Sequence, residues 1–272
     1  MKIRLLGVVL IFTSIMFMGL IMVSSPSFAK AGIDYEDHLV GLWKFDEGKG
    51  TAIEDSSGNG LEGELKGSGK WVDGKFGKAI QLDGKTGFVA IKPHANPTTA
   101  ITVSAWVKSK TPKWNNHGFI MSKRNAYIIH NNTEGVTVSF PICNGACWNK
   151  PKGWRDGEVG PKDITKWHMY TGTFDSKTGD WRILIDGKVE SKMQLDKKPL
   201  AAEKDKPLWI GRDNCCGSRF GDITVDEVMV FDTALSEAEL KPLVDKGFDG
   251  IGTAVEVASK LVTKWVKIKT KY

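Results

Sequence analysis

From Ile223 to Phe231 apolar side chains occupy both parities: Ile223, Val225, Met229 and Phe231 on one, Val228 and Val230 on the other. A strand apolar on both faces is a strand buried on both sides, in the middle of a sheet. Directly after it, Ser236 stands three residues before Glu239, a capping box that opens a short helix carrying Leu240 and Leu243. The chain therefore closes with a central strand and one short helix. The adjacent carboxylates Asp226 and Glu227 inside that strand demand an explanation.

The segments before it are short, apolar and separated by turn residues. Strands are expected over Leu39–Phe45, Ala79–Leu82, Phe88–Ile91, Ile101–Val107, Phe119–Met121, Tyr127–His130, Val136–Phe140, Trp167–Phe174, Trp181–Ile185, Lys188–Lys192 and Leu208–Gly211. Asp83-Gly84 and Asp186-Gly187 read as hairpin turns, and Asp55–Gly60 as a tight glycine-rich turn. About a dozen short strands, turns at intervals of roughly ten residues and almost no helical pattern give an all-β, two-sheet antiparallel sandwich with one short C-terminal helix. Between Ile142 and Asp163 the strand pattern stops in a loop rich in Gly, Pro, Lys and Trp, and a loop of that length in a compact domain is more often functional than idle.

The ends differ from the middle. Lys2 and Arg4 precede an uncharged run from Leu5 to Val23, and Ser27-Phe28-Ala29 matches a signal-peptidase site, so residues 1–29 read as a secretory signal, with Ala31 as another cleavage point and an uncleaved anchor as the rival. One domain is expected over 30–250. The remainder, 251–272, is a basic amphipathic tail: Leu261, Trp265 and Ile268 form one helical face, while Lys260, Lys264, Lys267 and Lys271 form a second, charged one. It is expected to pack on the sandwich or add an edge strand, membrane contact being the alternative. The formal charge of +6 falls to +4 once Lys2 and Arg4 are subtracted, which makes nucleic acid a poor partner. The four cysteines, Cys143, Cys147, Cys215 and Cys216, are even in number and sit in loop-like sequence, as expected of disulfides in a secreted, periplasmic or cell-surface protein. Three connectivities are open, and zinc is the rival reading of the same residues.

Gly41-Leu-Trp-Lys-Phe-Asp-Glu-Gly48, Asp55-Ser-Ser-Gly-Asn-Gly60, Gly77-Lys-Ala-Ile-Gln-Leu-Asp-Gly84, Ile101–Val107 and Val225-Asp-Glu-Val-Met-Val-Phe-Asp-Thr-Ala-Leu-Ser236 resemble, in order, the motifs of bacterial laminin-G-like domains in the concanavalin A-like lectin/glucanase superfamily. The resemblance covers roughly residues 36–245. It implies a jelly roll, and a single structural Ca²⁺ whose ligands would be Asp46, Asn59 and Asp226, with Asp83 as a weaker member. The rival is that these side chains cap turns and bond backbone amides.

Two kinds of chemistry follow. Glucanases of this superfamily carry the acid and the nucleophile at alternate positions of one strand, whereas Asp226 and Glu227 are consecutive and are expected to point to opposite faces; no retaining glycosidase is expected, an extracellular polysaccharide hydrolase or lyase of the same superfamily or a structural adhesion exoprotein being the alternatives. The five histidines are scattered and accompany no nucleophile motif. A binding surface is the stronger expectation. Trp43, Trp106, Trp167 and Trp209 fall within strand patterns and read as core, which leaves Trp114, Trp148 and Trp154 in polar loops as rings that could stack on sugar. Asn115, Asn116, His117, Asn149, Arg155, Arg212, Asp213 and Asn214 would supply directional hydrogen bonds beside them. The rival is that Trp148 and Trp154 fill space beneath a disulfide-stapled loop. The expected partner of this monomeric, non-catalytic module is a glycan or an extracellular protein.

Overall fold

A computed structural model of the chain describes residues 33–251 except 116–117, 133–134, 149–157 and 214–218, all within the unit that begins at Ile33. The expected export segment and all but the first residue of the tail lie outside the described residues. In chain order the elements are α1 (Tyr35–His38), β1 (Leu39–Trp43), β2 (Ala52–Ile53), β3 (Gly63–Lys66), β4 (Gly69–Asp73), β5 (Lys78–Leu82), β6 (Phe88–Ile91) and β7 (Ala100–Ser109). There follow β8 (Met121–Lys123), β9 (Tyr127–Asn131), β10 (Val138–Ser139), β11 (Cys143–Asn144), β12 (Ala146–Cys147), β13 (His168–Asp175), β14 (Asp180–Ile185), β15 (Lys188–Gln194) and β16 (Leu208–Ile210). The long strand β17 (Ile223–Phe231) and the helix α2 (Glu237–Lys246) close the fold.

All the pairings are antiparallel and build two main sheets. One runs β15-β14-β13-β7-β17-β5-β4, with β1 also paired to β17; the other runs β10-β9-β8-β16-β6-β3-β2. β11 and β12 form a small separate ribbon. The expected sandwich is therefore what forms. The hairpin turn at Asp186-Gly187 also forms, with φ of 51° and 76°, the left-handed pair that a two-residue hairpin needs and that Asp-Gly tolerates.

Two apolar layers explain why β17 is apolar on both faces. Between the sheets lie Val225, Val228 and Val230 with Trp43, Ile80, Val103, Tyr170, Trp181 and Ile210. On the other side of the larger sheet, Met229 and Phe231 join Leu42, Trp106, Met169 and Leu184 beneath Leu240 and Leu243 of α2. All nine residues of β17 are buried. The capping box forms as expected, Ser236 N donating to Glu239 Oε2 at 2.8 Å and Glu239 N to Ser236 Oγ at 3.4 Å. The buried indoles of Trp43 and Trp181 each find a carbonyl, Leu61 O at 2.8 Å and Phe140 O at 2.9 Å, so neither costs an unpaired donor.

Sequence reading placed no strand over β3 or β4. Both alternate exposed and half-buried residues, with Leu65 the one fully buried side chain between them, so their apolar signal is weak. β10 is shorter than the expected Val136–Phe140, and β15 is longer than expected and lies at a sheet edge.

Candidate functional site

Asp226 and Glu227 do not point to opposite faces. β17 bonds β5 through Thr224 and Val225 on one edge, then changes to β1 from Val228 onward, and its register with β7 shifts between Asp226 and Met229. Glu227 is the extra residue of this bulge, at φ 38°. Because Val225 and Val228 both enter the inter-sheet core, the two carboxylates between them share the α2 side. Asp226 Oδ2 accepts from Lys75 N at 2.7 Å and Phe76 N at 2.9 Å, while Glu227 Oε1 accepts from Phe248 N at 3.2 Å. Phe76 and Phe248 both belong to the layer under α2. The expectation of opposite faces assumed an unbroken period of two, which the bulge breaks.

This pair is closed off. Asp226 is 0% and Glu227 3% exposed. Burial is the main cause that pushes each pKa up to about 7, and the neighbouring carboxylates add to it: Asp46 for Asp226, and Asp226, Asp249 and Asp46 for Glu227. The amides that bond them pull the other way. Lys44 supplies nearby positive charge, its Nζ lying 2.9 Å from Asp249 and 3.9 Å from Asp46. A cleft of about 460 Å³ beside Lys44 and Asp46 is lined also by Glu47, Lys49, Ala52, Glu54 and Ser56, but by neither Asp226 nor Glu227. The two carboxylates lie where a substrate cannot reach them.

The four residues expected to hold Ca²⁺ are not brought together. Asn59 donates its amide to Leu39 O at 2.8 Å and Val40 O at 3.2 Å, locking the glycine-rich turn to β1. Asp83 Oδ1 accepts from the backbone N–H groups of Lys85, Thr86 and Gly87 at 2.8–3.0 Å, and its pKa falls to about 2 even against burial. Asp46 and Asp226 flank one turn, Asp46 Oδ1 accepting from Lys78 N at 2.7 Å. Among the described residues no three His, Cys, Asp or Glu side chains gather as a metal-ligand set. Three of the four expected ligands thus have an oxygen committed to backbone amides and the fourth turns its amide donors inward, so the set does not fit one ion.

The expected loop site is only partly assembled. Trp114 is 1% exposed and packs edge-on against Tyr170 at 5.8 Å, so it belongs to the core and offers no ring to a ligand. Asn115 spends its side chain holding the closing loop, donating to Phe220 O at 2.7 Å and accepting from Asp222 N at 3.1 Å. Trp148 is half-buried with the Arg124 guanidinium 5.3 Å from its ring. Asp213 is buried and accepts from Ser122 Oγ at 3.1 Å, Arg124 at 3.1 Å and Arg219 at 3.3 Å. Asn116, His117, Asn149, Trp154, Arg155, Asn214, Cys215 and Cys216 lie outside the described residues. Cys143 is disulfide-bonded and stands in register opposite Cys147 across the β11-β12 ribbon.

Arg212 leads to a surface that sequence reading missed. Its guanidinium lies 4.5 Å from the ring of Phe220 and 4.8 Å from those of Phe88 and Trp209. Phe88 and Trp209 pack at 4.8 Å, Phe88 and Phe220 at 6.1 Å. All four side chains are half-buried. The strand period explains the placement: Leu208 and Ile210 enter the core, so Trp209 stands on the outer face of the smaller sheet, as Phe88 does next to buried Val89. Reading Trp209 as core took membership of a strand for burial, when its parity opposite Leu208 and Ile210 was the usable signal. Across the sheet Trp209 is in register with Ser122 on one side and Ala90 on the other, and Ala90 with Glu64. Glu64 pairs with Lys66 at 2.5 Å.

No curated protein sequence matches the chain. Among solved structures, domain 4 of AbnA, an extracellular arabinanase from Geobacillus stearothermophilus in complex with arabinotriose, matches with TM-score 0.58 at 18% identity over 76% of this chain and 98% of that one. The binding domain of Paraclostridial Mosquitocidal Protein 1 matches with TM-score 0.59 at 18% identity, over 78% of this chain and 52% of that one. The binding domain of botulinum neurotoxin DC in complex with SialylT matches with TM-score 0.58 at 14% identity and the same coverage. The chain thus spans about half the length of the two toxin binding domains, and at these identities the likeness is one of fold. A laminin G family profile, described as Concanavalin A-like lectin/glucanases superfamily, matches residues 83–241, more than half of the chain. With the two antiparallel sheets and the motif order, that match makes the chain a member of the laminin-G-like family within the concanavalin A-like lectin/glucanase superfamily.

Proposed function

We propose that the chain is a non-catalytic recognition module that binds a glycan on the outer face of its smaller sheet, over Trp209, Phe88 and Phe220. The observation that carries this reading is the half-exposed aromatic group with Arg212 at 4.5–4.8 Å from all three rings. Aromatic faces receive the C–H faces of pyranose or furanose rings, and a neighbouring fixed donor orients them. The closure of Asp226 and Glu227 supports the absence of glycosidase chemistry at the one adjacent carboxylate pair in the central strand. The arabinotriose bound by the AbnA domain supports sugar as a ligand class for this fold.

A glycan array probed with the full chain and with Trp209→Ala tests this. The reading expects at least one glycan class bound by the wild type and lost in the variant, with the melting temperature within a few degrees. Absence of any glycan signal, or binding that survives Trp209→Ala and Phe88→Ala together, contradicts it.

A further inference from the structure

We infer that the glycan taken by this face is an acidic one, and that Arg212 receives its carboxylate. The inference rests on the reading of the aromatic face as a sugar site and adds the class of sugar. Four arginines are described, and three have a carboxylate partner: Arg124 and Arg219 share Asp213 at 3.1 and 3.3 Å, and Arg182 pairs with Asp180 at 3.1 Å. Arg212 is the exception among the described residues. Its guanidinium lies against rings, and its Nε is enclosed without an acceptor among the described residues.

A guanidinium is permanently charged, and stacking it among three rings fixes its plane without neutralising it. Its Nη groups remain free to donate, and the two parallel N–H groups of the fork match the two oxygens of a carboxylate. Among the described residues no carboxylate pairs with Arg212. Asp213, the next residue, is already shared by two guanidiniums, so Arg124, Arg212 and Arg219 against one carboxylate leave an excess of two positive charges. Asp83, near Phe88, is held by the backbone amides of Lys85, Thr86 and Gly87, and Glu64, in register with Ala90 beside Trp209, is paired with Lys66 at 2.5 Å. A uronic or sialic acid unit laid over Trp209 would bring an apolar ring face to the indole and a carboxylate to Arg212 together. A neutral sugar would use the rings and leave the fork unpaired.

The test uses galacturonate, glucuronate and sialyl-lactose oligosaccharides, each alongside its carboxyl methyl ester, a sulfated galactan and polyglutamate, titrated against the full chain, Arg212→Gln and Arg212→Lys. Charge-assisted pairing predicts that at least one acid binds roughly 10- to 100-fold more tightly than its ester, which keeps the sugar face and removes the charge. That preference disappears in Arg212→Gln and is reduced in Arg212→Lys, with circular dichroism and melting unchanged. Equal binding of acid and ester, a preference that survives Arg212→Gln, or binding of the sulfated galactan alone overturns the carboxylate assignment and leaves the sugar face standing. Binding of polyglutamate without any saccharide, or of nothing in the panel by a wild type whose array is blank, overturns the sugar reading itself and the inference with it.

Discussion

Asp226 and Glu227 are consecutive in β17 yet project from the same face, because Glu227, at φ 38°, is the extra residue of a bulge placed where β17 changes its partner from β5 to β1. The bulge leaves that edge unpaired over two residues, and the turn before β5 fills the gap by donating two backbone amides to Asp226. The carboxylates therefore serve as polar connectors between the central strand, this turn and the segment after α2.

Their raised pKa values set a pH dependence. A carboxyl near 7 in the folded chain and near its ordinary value when unfolded binds its proton more tightly folded, so stability falls as pH rises between those values. Lys44 opposes the effect at Glu227, and Asp46 and Asp249 reinforce it. Replacing Glu227 by Gln keeps an acceptor for Phe248 N and removes the titration. Thermal melts at pH 5 and pH 8 should show the wild type losing more stability than Glu227→Gln on going to pH 8, by on the order of 5 °C. Parallel curves for the two proteins contradict the assignment.

At low pH the direction reverses. Asp55, Asp83 and Asp186 are held below the ordinary carboxylate range by hydrogen bonds from Ser57, Leu61, Thr86, Gly87, His168 and Met169, despite burial. Their contribution is present above the unfolded value and is lost as pH drops below about 4. Asp83→Asn should flatten the acid limb of the melting-temperature profile below pH 4 while leaving the region between pH 5 and 8 unchanged.

Thr102 ties β7 to the segment leading into α2: its hydroxyl donates to Thr233 O at 2.7 Å in half-buried surroundings and accepts from Leu235 N at 2.8 Å in buried ones. Thr102→Val removes both bonds and leaves a buried amide and a half-buried carbonyl without that partner. Denaturant unfolding should show a loss of about 1–3 kcal/mol. A loss under 0.5 kcal/mol, on the same order as a surface substitution, means the bonds are replaced.

Two tryptophans that sequence alone treats in opposite ways should exchange roles. Trp114, expected in a loop site, is buried, and Trp114→Ala should cost about 3–5 kcal/mol of stability. Trp209, expected in the core, is half-buried, and Trp209→Ala should cost much less while removing binding. Urea unfolding of the two variants side by side distinguishes them.

Because Asn59 ties its turn to β1, Asp83 closes its own turn and Asp46 and Asp226 commit oxygens to backbone amides, the melting temperature should be the same in millimolar Ca²⁺ and in a chelator. A rise of several degrees with Ca²⁺ contradicts this.

The sandwich was legible because its strands announce themselves by parity and turns such as Asp186-Gly187 by their residues, and α2 because Ser236 and Glu239 carry their cap locally; Asp83-Gly84, expected as a hairpin turn, instead joins β5 and β6 of different sheets. What stayed hidden had long-range causes. The bulge at Glu227 arises from a change of strand partner roughly 145 and 185 residues away in sequence, which no window on β17 contains. The strands β3 and β4 are half-exposed and so lack the apolar run that marks a covered strand. The aromatic face joins Phe88, Trp209 and Phe220 from three separate segments, each of which reads alone as ordinary strand or loop.

The most direct test of the account is to map the bound ligand. Amide and side-chain NMR shifts, recorded as the best array glycan is titrated, should move at Phe88, Ala90, Trp209, Arg212 and Phe220 and stay unchanged around Asp226 and Glu227. Shifts confined to the β11-β12 ribbon and Trp148, with the Trp209 indole unmoved, would contradict it.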